Sequence, residues 1–149
     1  MAEVPSYVLD ATVGSKWHLD DEAHIDLAQQ IRQDFAQDLI RLIAPDLLRH
    51  EAAASILKAT RNPQRPRRLD PTDAEQALGN FLSRPILYID AAPLVPTAFR
   101  LARRFNCSYY DGVYLALAGA TGTRLLHADQ KLRRALARSP LAIWIEDYR

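Results

Sequence analysis

Short apolar runs alternate along the chain with longer stretches in which apolar residues recur every three or four positions. The short runs predict five strands, over residues 7–9, 39–44 and 86–89, around residues 125–126, and over residues 141–145. The longer stretches predict helices over residues 20–35, 46–60, 70–83, 92–105 and 108–122, with a short one after Asp129. Parallel strands need crossover connections, so this alternation predicts an α/β fold with a five-stranded parallel sheet and helices on both faces.

Length and composition indicate one globular domain. The chain has 149 residues, of which 48% are hydrophobic and 25% are charged, and such a chain can bury a core of its own. We expect a single domain over residues 1–149, with its core at about 5–146. The single cysteine excludes an intrachain disulfide. Neither a leader nor a membrane-spanning apolar run is evident, which predicts a cytoplasmic protein.

Four acidic residues are expected at one edge of the sheet. Asp10 follows the first strand and Asp129 follows the fourth, and ligands bind beyond the carboxyl ends of the strands in such sheets. Glu51 lies on the flank of a predicted buried stripe formed by Leu48, Ala52, Ser55 and Ala59, and Asp111 lies in the first turn of its helix. Each acid alone could be a helix cap or a surface charge. Capping does not, however, require four acids at one end of a sheet.

Clustered carboxylates need a cation to hold them together. Two of them about 4 Å apart repel by roughly 4 kcal/mol at an effective dielectric constant near 20. Oxygen ligands without a histidine or thiolate partner suit Mg²⁺ or Mn²⁺ rather than zinc. These ions promote the hydrolysis of phosphate esters. Thr12, two residues after Asp10, can donate a hydrogen bond to a carboxylate or to the attacking water.

Four blocks of sequence carry a resemblance to a known family. They are Y-V-L-D-A-T-V-G-S-K-W at 7–17, A-P-D-L-L-R-H-E-A at 44–52, Y-D-G-V-Y-L-A-L-A at 110–118 and L-L-H-A-D-Q-K-L at 125–132. In this order and spacing the blocks resemble the PIN-domain ribonucleases, and in particular the VapC toxins of toxin–antitoxin pairs. The resemblance covers nearly the whole chain.

The resemblance implies a metal-dependent endoribonuclease that cuts transfer or ribosomal RNA, forms a homodimer and is silenced by a cognate antitoxin. It implies that Mg²⁺ or Mn²⁺ binds chiefly at Asp10 and Asp111, with Asp129 and Glu51 completing the set, and that Thr12 is the family's hydroxyl residue. The sequence departs from the family at two positions. His127 replaces a small hydroxyl residue, and Gly112 replaces the more usual alanine.

The basic residues suggest where RNA would bind. Residues 1–60 contain 10 acidic and 5 basic side chains, whereas residues 61–149 contain 8 acidic and 14 basic ones. The densest basic segment, residues 61–68, here called the arginine loop, is broken by two prolines and contains Arg61, Arg65, Arg67 and Arg68. Arginine forks match phosphate oxygens, although a solvated loop remains an equal alternative. Lys16 and His127 are further candidates for RNA contacts, and His127 fits a merely packed histidine as well.

Three other functions remain open from the sequence. The first is a PIN nuclease of RNA maturation that has no antitoxin. The second is a catalytically silent PIN-like module that only binds RNA or a protein. The third is a phosphotransfer domain, which also places acids at strand ends. The motif D-A-T at residues 10–12 lacks the second aspartate of D-x-D-x-T, which disfavours the phosphotransfer alternative.

Overall fold

The structure of the protein is a computed structural model that describes residues 3–19 and 23–148. Its core is a parallel sheet with the strand order β3-β2-β1-β4-β5. The strands are β1 (Ser6–Leu9), β2 (Arg41–Pro45), β3 (Leu87–Ile89), β4 (Arg124–His127) and β5 (Ala142–Trp144). The predicted α/β fold with a five-stranded parallel sheet is confirmed.

Seven α-helices accompany the strands within the described residues. They are α1 (Ala11–Gly14), α2 (Ile25–Ala36), α3 (Leu47–Thr60), α4 (Pro71–Leu82), α5 (Val95–Phe105), α6 (Tyr109–Thr121) and α7 (Gln130–Leu136). Short 3-10 turns cover Ser15–Trp17, Arg65–Arg67, Ala92–Leu94 and Ile145–Asp147. Two of the helices begin with a side-chain cap: the Asp70 carboxylate accepts from the Thr72 N–H at the start of α4, and the Ser108 hydroxyl accepts from the Asp111 N–H at the start of α6.

The strand order creates a crevice beside the central strand. The chain runs from β1 outward through β2 to β3, and then returns to place β4 on the other side of β1. Ligands bind at such a reversal, beyond the carboxyl ends of the strands. Val8, Leu9, Leu125 and Leu126 are fully buried in the two adjoining strands. The ends of β1 and β4 are therefore rigidly held next to each other.

Two predicted boundaries and one predicted buried stripe show how the structure departs from the sequence pattern. The start predicted at residue 20 lies outside the described residues, and α2 begins only at Ile25, because His24 has a left-handed backbone with φ 65°. Pro45 does not close β2 from outside but is its last residue, in register with Ile89 of the edge strand β3. The buried stripe of α3 is predicted to contain Leu48, Ala52, Ser55 and Ala59. In the structure Leu48, Ala52 and Ile56 are buried, whereas Ser55 and Ala59 are only partly buried.

The structure explains why residue 112 is a glycine. A Cβ atom at Gly112 would lie 2.3 Å from the carbonyl oxygen of Ala98 in α5. Only a residue without a side chain lets α5 and α6 approach this closely. The departure from the family's usual alanine is therefore matched to the packing of these two helices.

Candidate active site

Asp10 is the most buried carboxylate of the crevice. Its backbone N–H donates to the Leu126 carbonyl at 3.1 Å, which continues the pairing of β1 with β4 beyond the strand end. The side chain is only 4% exposed, and burial raises its pKa from 3.8 to about 7. Hydrogen bonds from Thr12 oppose this rise, whereas the negative charges of Asp111 and Glu51 add to it. The fold therefore makes an ionised Asp10 costly in the absence of a cation.

Thr12 holds Asp10 in place. Its backbone N–H donates to Asp10 Oδ2 at 3.1 Å, and its hydroxyl donates a second, short bond to the same oxygen. The hydroxyl oxygen in turn accepts from the Ala128 N–H at 3.0 Å. Because the single hydroxyl proton points at Asp10, Thr12 orients the carboxylate in this arrangement and links it to the end of β4. The other oxygen, Oδ1, receives no hydrogen bond from the described residues.

Glu51 enters the crevice from α3 and is held by an aromatic hydroxyl. The Tyr114 hydroxyl donates to Glu51 Oε1 at 2.7 Å. Burial raises the pKa of Glu51, the bond from Tyr114 lowers it, and the charge of Asp111 raises it again. Burial together with the acidic neighbours also raises the pKa of Tyr114, so this hydroxyl keeps its proton and acts as a donor.

Asp111 and Asp129 line an open groove of about 800 Å³ on the same side of the molecule. Burial raises the pKa of Asp111, and the charge of Asp129 adds to the rise, whereas Lys131 and bonds from Ser108 oppose it. Asp129 caps α7, since its Oδ1 accepts from the Leu132 N–H at 3.1 Å. Lys131 lies along the groove as well. The groove thus leads from solvent to acidic side chains.

The four acids are here called the carboxylate cluster (Asp10, Glu51, Asp111 and Asp129). They lie close enough that the charges of Glu51, Asp111 and Asp129 each raise the pKa of another member. Among the described residues, however, no three His, Cys, Asp or Glu side chains are grouped tightly enough to form a ready-made metal cage. Mg²⁺ keeps several of its waters and binds proteins through one or two carboxylates. An all-oxygen cluster with a free Asp10 oxygen fits such an ion, and it does not fit zinc.

His127 is a packed histidine in this structure. It is 2% exposed, and burial lowers its pKa to about 4, so the ring is neutral. Its Nδ1 accepts from the Asp129 N–H at 3.3 Å, and its ring meets Trp144 edge to face at 5.6 Å. The ring therefore supports the backbone that presents Asp129.

The other candidates for RNA contacts differ in exposure. Lys16 is buried, with 6% of its surface exposed. The four arginines of the arginine loop are all exposed. Arg61 and Arg67 line a groove of about 720 Å³ that also contains Ser15, three residues beyond Thr12. A basic edge thus lies beside the chain segment that follows Asp10.

Two residues of the site were missed from the sequence. Tyr114 lies three residues after Asp111, so it is on the same side of α6. Lys131 lies two residues after Asp129, next to the helix cap. Both positions fall inside the quoted sequence blocks, and both lie within one helical turn of an acid, which is the signal that could have identified them.

Comparisons with known proteins place these observations in a family. In the part of the chain that the structure describes, no helix is both long and apolar enough to span a membrane. A comparison with curated proteins found no match. Among solved structures, PAE2754 from Pyrobaculum aerophilum superposes with a TM-score of 0.68 at 24% identity, covering 97% of this chain and 87% of that one. This likeness supports the fold. The family model of the PIN domain matches residues 7–136, and the chain therefore belongs to the PIN domain family, whose fold is of the nuclease type.

Proposed function

We propose that this protein is an endoribonuclease that uses Mg²⁺ or Mn²⁺ to hydrolyse phosphodiester bonds. The observation that carries this proposal is the buried Asp10 at the reversal point of the sheet, with a pKa of about 7 that the charges of Glu51 and Asp111 help to raise. Asp129 in turn helps to raise the pKa of Asp111. A protein does not keep such a cluster for stability, because buried like charges cost free energy. Membership of the PIN family agrees with this chemistry.

The residues of the site divide into those that hold the ion and those that position them. Asp10 and Asp111 would hold the metal, with Asp129 and Glu51 completing the set. The ion, when bound, supplies an activated water and neutralises charge on the phosphate. Both hydrogen bonds from Thr12 go to Oδ2 of Asp10, which leaves Oδ1 available to hold an ion.

Structured RNA, such as transfer or ribosomal RNA, is the proposed substrate. The exposed arginine loop supplies positive charge beside the chain segment after Asp10. Arginine and lysine contacts to phosphates give binding that does not depend on sequence. The groove at Asp111 and Asp129 has a volume of about 800 Å³ and is partly open to solvent, which suits entry of a polymer.

We also propose that the protein is the toxin of a toxin–antitoxin pair and forms a homodimer. The groove beside the arginine loop combines Leu57, which is 49% exposed, with the basic side chains of Lys58 and Arg61. An antitoxin segment with apolar and acidic side chains would fit this groove. Helix α5 exposes Val95 and Phe99, 47% and 57% respectively. They lie four residues apart and thus on one helix face, which a second copy would cover.

Cleavage of a mixed pool of transfer and ribosomal RNA tests the proposed function. Purified protein with Mg²⁺ or Mn²⁺ should give discrete products, which EDTA and Asp10→Asn should abolish. Asp38→Asn, which removes an exposed carboxylate at a left-handed position that asparagine tolerates, should cut like the wild type. Products that persist in EDTA or in Asp10→Asn would refute the site. Retained RNA binding without any cleavage would favour a silent RNA-binding module.

A further inference from the structure

A second site of positive charge lies away from the carboxylate cluster. A small pocket of about 240 Å³ is formed by α2, α4 and the 3-10 turn Ser15–Trp17. Arg32 from α2, Arg84 just beyond α4 and Trp17 contribute to its lining, and Asp73 lines it from the first turn of α4. None of the four acids of the carboxylate cluster lines this pocket.

Among the residues that the structure describes, no carboxylate pairs with either of the two arginines that face the pocket. The Nε atoms of Arg32 and Arg84 are both buried and have no hydrogen-bond acceptor within the described residues. No ion pair within 4 Å joins either guanidinium to Asp73 or to any other described acid. Both side chains are half-buried. Burial and the charge of Arg32 lower the pKa of Arg84, so the two cations already disfavour each other.

Trp17 fixes the position of one of these cations. The Arg84 guanidinium lies 5.2 Å from the centre of the Trp17 ring, a distance at which a cation is attracted to an aromatic face. The indole N–H donates to the Ala28 carbonyl at 2.9 Å, which holds the ring against α2. The arrangement is therefore preorganised, and its two partly desolvated cations would gain from an anion between them.

We propose that Arg32 and Arg84 form a binding site for a phosphate group, carried either by an RNA strand or by a free nucleotide. Guanidinium groups present paired donors that match phosphate oxygens. The pocket is smaller than the roughly 300–1,000 Å³ of pockets that enclose whole organic ligands, so it accepts a phosphate group rather than a complete nucleotide.

The site is near enough to the carboxylate cluster to serve the same RNA. Trp17 follows Asp10 by seven residues, all in helical turns. At about 1.5–2.0 Å per residue this is a rise of about 10–14 Å. One bound strand can therefore reach both sites. This RNA arm of the proposal rests on the proposed function, whereas binding of a free phosphate does not.

Calorimetric titrations in EDTA, where no cleavage occurs, test the proposal with three probes: inorganic phosphate, AMP and a single-stranded RNA octamer. Arg32→Gln and Arg84→Gln should each weaken binding about tenfold or more, since each removes a charged hydrogen bond. Asp73→Asn should tighten binding, because it removes a negative charge from the pocket lining. Arg103→Gln, which removes an exposed arginine of α5, is the matched control and should bind like the wild type.

The pattern across the probes distinguishes the two sources of phosphate. Phosphate and AMP binding that depends on both arginines identifies a free phosphate or nucleotide. If only the octamer binds, the ligand is an RNA backbone phosphate. The slope of the logarithm of its binding constant against the logarithm of salt concentration should then fall by about one phosphate contact in Arg84→Gln. If no probe binds the wild type, or if all bind Arg32→Gln and Arg84→Gln equally well, the proposal is wrong.

Two further measurements separate this result from folding and from catalysis. Circular dichroism melting shows whether each arginine variant is folded, and Asp73→Asn tests the pocket without altering either arginine. Asp10→Asn should lose cleavage and still bind phosphate at Arg32 and Arg84. Phosphate binding that depends on Arg32 and Arg84 and is retained in Asp10→Asn would support this site whether or not the protein cleaves RNA.

Discussion

Replacing Asp10 by asparagine should stabilise the metal-free protein, and increasingly so as the pH rises. Asparagine cannot ionise, and its carbonyl oxygen can still accept both hydrogen bonds from Thr12. In the wild type, the pKa of Asp10 is 3.8 in the unfolded chain and about 7 in the folded one. The folded state therefore holds its proton over a pH range in which the unfolded state has released it.

The sign and size of the effect follow from proton linkage. The folded pKa is raised, so this contribution to stability is fully present below about pH 4 and is lost as the pH rises through 7. The two pKa values correspond to a loss of about 4 kcal/mol at high pH, of which roughly 2–3 kcal/mol falls between pH 5 and pH 8. The advantage of Asp10→Asn over the wild type should grow by that amount.

Urea unfolding followed by circular dichroism in EDTA, at pH 5 and pH 8, measures this difference. His127 has a lowered pKa of about 4, so it lowers stability as the pH falls, but it does so in both proteins and cancels in the comparison. Asp38→Asn, at an exposed position, should show no pH-dependent gain. An advantage of Asp10→Asn that is equal at pH 5 and pH 8 would refute the buried, high-pKa Asp10.

Four further substitutions test the packing, the site and the proposed dimer interface. Gly112→Ala should destabilise the fold by about 1–3 kcal/mol, because the added Cβ meets the backbone of α5. Gly79→Ala should stabilise the fold by about 1 kcal/mol, because a Cβ there has no neighbour within 4 Å. Urea unfolding measures both effects. Tyr114→Phe removes the bond to Glu51 and should slow RNA cleavage about tenfold with little unfolding, so an unchanged rate would exclude a positioning role. Phe99→Glu should convert the proposed dimer to a monomer in light scattering, and an unchanged mass would place the interface elsewhere.

The sequence predicted the placement of the acids because that placement depends on local signals. Asp10 and Asp129 each follow a strand, and parallel strands bring such positions to one edge. The pKa of Asp10 was not predictable, because it depends on what covers the residue. Tyr114 was missed for a related reason: its partner, Glu51, is 63 residues away in the chain.

Features assembled from several segments were also beyond the sequence. Arg32, Arg84 and Trp17 meet only in the folded chain, and nothing in their local patterns marks them as a site. The need for Gly112 comes from the Ala98 carbonyl in another helix. The helix predicted from residue 20 was placed too early, since its apolar periodicity does not reveal the left-handed backbone at His24.

Binding of Mn²⁺, followed by electron paramagnetic resonance during a titration of the metal-free protein, tests most directly whether the carboxylate cluster is a metal site. The wild type and Asp38→Asn should bind Mn²⁺ alike, and Mg²⁺ should compete. Asp10→Asn and Asp111→Asn should each weaken binding more than about tenfold, since each removes a charged oxygen ligand. Equal Mn²⁺ binding by all four proteins would contradict the assignment of the carboxylate cluster as a metal site.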